Sequence, residues 1–137
     1  MKKFIIPLLL IGLLFVSCEL IRLTEKKKTE IKPDPKNSIG TIFFFIDEVK
    51  KDNLQGVDKL FIVSDTTFTA ENLFELQDKI QRFSRSVSNR QITSYNIDTL
   101  NNSEHLIFVE FDYLYKYFFI TQKKDDIWLI RNFGEKK

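Results

Sequence analysis

The sequence predicts an α+β domain, with N-terminal helices on one face of an antiparallel sheet of about three to five strands joined as a meander. Three observations predict it. Apolar residues recur at helical spacing over 39–49 and 73–87, then alternate with a period of two from Arg90 onward. The segments after Arg90 are separated by short polar turns, which suits neighbouring antiparallel strands. The chain holds only 4 Gly and 3 Pro, so the elements are rarely interrupted and a Gly-rich phosphate loop is disfavoured.

Taken in order, the chain opens with Lys2-Lys3 and an apolar run from Phe4 to Val16, broken only by Pro7 and Gly12. That is the charged and apolar pattern of a secretory signal. The run is about 13 residues, short of the roughly 18–20 a transmembrane helix needs. It ends Phe15-Val16-Ser17-Cys18, which resembles the lipobox of bacterial lipoproteins, with Phe15 where leucine is usual. The resemblance implies a signal peptide over 1–17 that is cleaved, lipid on the Cys18 thiol and an acylated new amino terminus. It therefore implies a membrane partner through Cys18 and a place in the bacterial cell envelope, with the leaflet left open. Two or three acyl chains make such anchoring stable where one is marginal. Cys18 is the one cysteine, so no intramolecular disulfide competes for it.

Residues 18–37 are expected to be a flexible tether. Apolar residues thin out after Leu23, and Pro33 and Pro35 block a helix. The nineteen residues after Cys18, fully stretched, reach roughly 60 Å. The globular domain is expected over 38–137. Asn37 or Ser38 can cap a first helix carrying Ile39, Ile42, Phe43, Ile46 and Val49, with Phe44 and Phe45 widening its apolar side. A short apolar piece after Gly56 predicts one or two helical turns. Thr69 caps the next helix, Phe68 can staple onto Leu73, and Leu73, Leu76, Ile80, Phe83 and Val87 form its buried stripe.

From Arg90, Thr93, Tyr95, Ile97 and Thr99 alternate with polar residues as in a half-buried strand. Asn101–Glu104 is a turn. Ile107, Val109, Phe111 and Tyr113 share the next strand face. The run continues without Gly or Pro through Thr121, either as one bent strand or as two strands with a turn near Leu114-Tyr115-Lys116. Lys123–Asp126 is a hairpin turn, and Ile127 to Phe133 is the last strand. The helix leading into Asp52-Asn53-Leu54, the helix from Thr69 and the closing hairpin around Trp128 are similar to small lipoproteins of the nuclear-transport-factor-2-like (cystatin-like cone) class. That resemblance implies a curved sheet wrapping helices, with an open mouth that in some members holds a ligand or active site.

Charge narrows the function. Net charge is +2, and Lys2 and Lys3 supply all of it; removing them from 21 basic residues leaves 19 against 19 acidic. A neutral body argues against nucleic acid as a partner. His105 is the one histidine and begins a strand, where a solvated or partly packed residue is expected. Metal ligands at tight spacing are absent and no cofactor is expected. Glu110 and Asp112 are paired carboxylates at alternate strand positions, the candidate catalytic pair. In a cone-fold isomerase or dehydratase one would be a general base, with Tyr95, Tyr113 or Tyr117 as oxyanion donors. Tyr113, Tyr115 and Tyr117 fall on one face of a continuous strand and are the candidate binding residues, since Tyr offers a large rigid contact with a polar tip. The leading expectation is a non-enzymatic module binding an envelope protein or a small apolar ligand. The cone-fold enzyme is its alternative.

Overall fold

The structure, a computed structural model, describes residues 32–62 and 69–137. Helix α1 (Ser38–Lys50) starts where the Asn37 side chain accepts from the Gly40 amide at 2.6 Å. Asn37 is extended there, as an N-cap must be. The chain before the cap folds back so closely that a Cβ at position 40 would collide with the Asp34 carbonyl. Only glycine admits that approach. Buried Ile42, Phe45, Ile46 and Val49 make the core stripe, and Phe43 and Phe44 are half-buried beside it, which gives the broad apolar face expected.

One 3-10 turn (Asp58–Leu60) follows Gly56, and Phe61 then forms a parallel bridge to Ile130. Helix α2 (Ala70–Val87) is capped by Thr69, whose hydroxyl accepts from the Asn72 amide at 3.2 Å. Its buried stripe is Ile80, Phe83 and Val87, with Leu73 and Leu76 half-buried. Phe68, the expected staple, lies outside the described residues.

Strands β1 (Ile92–Asn101), β2 (Glu104–Phe111), β3 (Tyr115–Lys124) and β4 (Ile127–Glu135) form one antiparallel sheet in the order β1-β2-β3-β4. The 105–122 stretch is therefore two strands. The turn between them falls at Asp112-Tyr113-Leu114, earlier than the expected Leu114-Tyr115-Lys116, and this takes Tyr113 out of the strand alternation. At the far end Asp125 and Asp126, both at positive φ, make the tight turn from β3 to β4.

The helices cover one face of this sheet. Phe45 of α1 and Phe83 of α2 stack at 5.4 Å between ring centres and both meet Phe119 and Phe133 edge-on. Phe83 also meets Phe111 and Tyr117. Edge-on aromatic pairs add about 0.5–1.5 kcal/mol each beyond the area they bury, so Phe45, Phe83, Phe119 and Phe133 join the two layers. The expected half-buried character of β1 is only partly seen. Ile92 and Ile97 pack against the core, but Tyr95, Leu100 and Thr99 are exposed, because β1 is an edge strand and α1 lies over β3 and β4.

The opposite sheet face bears half-buried Leu106, Phe108, Phe118 and Ile120. Ion pairs Glu110–Lys116 (3.2 Å) and Glu104–Arg131 flank them, and the Lys136 ammonium sits 4.4 Å over the Phe108 ring.

Candidate functional site

The β2–β3 hairpin tip shares a left-handed, non-glycine turn with Asp125-Asp126 and adds to it two exposed large side chains, Tyr113 and Leu114. The turn closes with the Leu114 amide donating to the Phe111 carbonyl at 3.1 Å, and both central residues are left-handed, Asp112 at φ +50° and Tyr113 at +60°. Such turns match the twist of a hairpin but favour Asn-Gly, since a Cβ is crowded at positive φ. Here the positions hold Asp and Tyr.

Neighbouring groups fix the conformation. The Asp112 amide donates to the Gln91 carbonyl and its carboxylate accepts from the Gln91 amide, each at 3.0 Å. The Tyr113 amide donates to the Thr93 hydroxyl (3.2 Å), which donates onward to the Glu110 carbonyl. Arg90 lies behind the turn. Its guanidinium stacks 3.5 Å from the Tyr115 ring centre, sits 3.4 Å from the Asp112 carboxylate and donates to the Ser86 carbonyl. The Lys50 ammonium donates to the Arg90 carbonyl, so α1, α2 and the tip are tied together. Partial burial pushes the Lys50 pKa down, while Asp112 and Asp47 pull it back up. Out of this scaffold project Tyr113 and Leu114, each 79 % exposed. A braced turn displaying two bare apolar side chains can supply a contact whose ordering cost is met before binding.

The structure does not bring the three candidate tyrosines together. Tyr113 is on the tip, Tyr115 is half-buried beneath Arg90, and Tyr117 is in the core, 7 % exposed, with its hydroxyl donating to Ser86 at 2.8 Å. Glu110 and Asp112 are also separated. Glu110 lies on the outer sheet face against Lys116 and lines an open groove of about 330 Å³ with Lys136. Asp112 is in the turn, held by Arg90 and Gln91. Tyr95 pairs with Val109 and so faces the helix side, away from Glu110. Cys18 lies outside the described residues.

His105 is partly packed. Its ring stacks on Trp128 at 4.3 Å and its Nδ1 meets the Ser38 hydroxyl at 2.6 Å, which ties the start of α1 to the sheet. Among the described residues no three His, Cys, Asp or Glu side chains cluster as metal ligands, and no helix is long and apolar enough to cross a membrane.

Leu114 and Arg90 were not among the residues the sequence singled out. Leu114 reads either as an apolar residue of one bent strand or as part of a turn, and its exposure follows from the turn. Arg90 reads as the polar residue from which the strand period begins. Comparison with protein-family models, with curated proteins and with solved structures found no match to this chain.

Proposed function

We propose that this chain is a bacterial lipoprotein, held at the cell envelope by lipid on Cys18, whose domain binds a partner protein through the β2–β3 tip. One observation carries the binding reading: Tyr113 and Leu114 stand 79 % exposed on a turn braced from three sides. Aromatic anchors of this kind dominate binding energy at interfaces. The tip is convex, and small apolar ligands are held in concavities, so a protein with a receiving pocket is the partner that suits it. The anchor reading rests on Phe15-Val16-Ser17-Cys18 at the end of the apolar run. In this reading the helix-on-sheet body is a relative of the nuclear-transport-factor-2-like class, a placement that rests on its chain pattern.

The two halves have separate tests. Cys18→Ser should shift the protein from the detergent to the aqueous phase, or leave it at its uncleaved mass; a variant that is cleaved and still partitions like wild type refutes lipidation. For the tip, wild type and a Tyr113→Ala, Leu114→Ala double variant are used as baits in detergent-solubilised envelope. The partner held by wild type should be lost at least about tenfold, as removal of a central anchor pair predicts. A partner bound equally by both overturns the tip reading, and no partner at all overturns the binding reading.

A further inference from the structure

The edge strand β1 (Ile92–Asn101) has sequence and geometry that fit a second copy of itself. It is ten residues long and pairs with β2 on one side; among the described residues no strand pairs with its other side. An edge of this length presents a row of amides and carbonyls, and proteins usually blunt such edges with Lys, Pro, inward charges or β-bulges. β1 has no Lys, Arg or Pro, and Asp98 is its one charge. Irregularities between Ile92 and Ser94 and between Thr99 and Asn101 bracket a regular run, Ser94–Thr99.

We propose that two copies pair antiparallel through β1, with Asn96 on the two-fold axis, to make one continuous eight-stranded sheet. The register follows from two constraints. In a continuous sheet paired residues must share a face, so Tyr95 and Ile97 on the helix side cannot face Ser94, Asn96 or Asp98. Among the registers that remain, the one centred on Asn96 places Tyr95 opposite Ile97, an aromatic–β-branched pair, and Ser94 opposite Asp98, a hydroxyl donor with a carboxylate. Asn96, whose side-chain amide donates to Asp98 at 3.3 Å, faces Asn96 and keeps a second N–H and its carbonyl for the copy. The two Asp98 carboxylates stay four positions apart along the pair, so the strand's one charge does not meet its copy. Tyr95, 42 % exposed and held edge-on by Phe43 at 5.7 Å, gains a covering neighbour.

A pairing through one edge buries less than the roughly 1,600 Å² of a standard interface. The dimer should therefore be reversible, with a dissociation constant of about 10–100 µM.

The test is sedimentation equilibrium of the full chain in density-matched detergent. Wild type should show monomer and dimer in that range. Asn96→Lys sets two ammonium groups face to face on the axis and should weaken the dimer at least about tenfold; its circular dichroism should not change, since position 96 is exposed. Ser94→Lys gives each copy a cation opposite the other's Asp98 and should tighten the dimer about fivefold at low salt. Adding Asp98→Asn should erase that gain. A chain that stays monomeric to about tenfold above this range overturns the proposal. So does a dimer indifferent to Asn96→Lys. A dimer weakened by Asn96→Lys but not tightened by Ser94→Lys overturns the register.

Discussion

Tyr113 sits at φ +60°, where its Cβ crowds the backbone at a cost of about 1 kcal/mol. Glycine there would relieve the crowding and also remove the exposed ring. Tyr113→Gly should therefore raise stability by about 0.5–1 kcal/mol in denaturant unfolding while weakening partner capture. A loss of stability would mean that the ring contributes to the fold. Thr41 is a second residue with a single task. It is fully buried, and its hydroxyl lies 3.0 Å from the Trp128 carbonyl and 3.1 Å from the Asn37 carbonyl. Thr41→Val keeps the shape and leaves those carbonyls without that donor, a cost of about 1–2 kcal/mol. In a domain of this size that is a melting-point fall of about 5–10 °C, readable by calorimetry. Neither role is written in the local sequence. Thr41 reads as a small polar residue in an apolar helix, and the carbonyl of Trp128 reaches it only through the tertiary fold.

Among the elements, the two helices and the closing hairpin were legible because period and punctuation agree there. Thr69 precedes an amphipathic run, and Lys123–Asp126 is polar between two apolar strands. The β2–β3 turn was not, because Asp112-Tyr113-Leu114 carries neither Gly nor Pro and continues the aromatic alternation across the bend. Burial of β1 was overestimated for a different reason. Alternation reports which residues share a face, and neighbouring elements decide whether that face is covered. Helix α2 also carries a charge whose cost depends on pH. The Lys79 ammonium lies 4.7 Å over the Phe133 ring, and partial burial lowers its pKa below 10.5. Below the folded-state pKa the unfolded chain holds the cation more comfortably than the fold does. Between that pKa and 10.5 the unfolded state binds more protons, so stability rises with pH. The stability of wild type relative to Lys79→Met should accordingly rise between neutral pH and pH about 10. A flat difference would show that burial does not act on this lysine.

At the scale of the whole domain, Phe45 and Phe83 make helices and sheet one cooperative unit, since each touches rings from both strands β3 and β4. Trp128 is the one tryptophan, is buried and lies at the end of the sheet opposite the tip. Its fluorescence and the far-UV signal of the helices should change together across a denaturant titration, as a single two-state transition requires. Separate midpoints would show that α1 or α2 melts off the sheet. The α+β class and the order of helices before strands were readable at this scale. The distribution of candidate residues was not, because it depends on where one apolar turn falls.

The direction of α1 has a mechanical consequence. Its start is bonded to His105 and Trp128 at one end of the sheet, and its last turn reaches Arg90 at the other, beside Tyr113. The chain's entry to the domain and its exposed tip therefore lie at opposite ends of the strands. A pull between them runs parallel to β2 and β3 and draws both the same way, so the shear falls on the β3–β4 ladder and on the packing of α1 against the sheet, and that ladder breaks together. Were entry and tip side by side, the same pull would open the ladder one rung at a time.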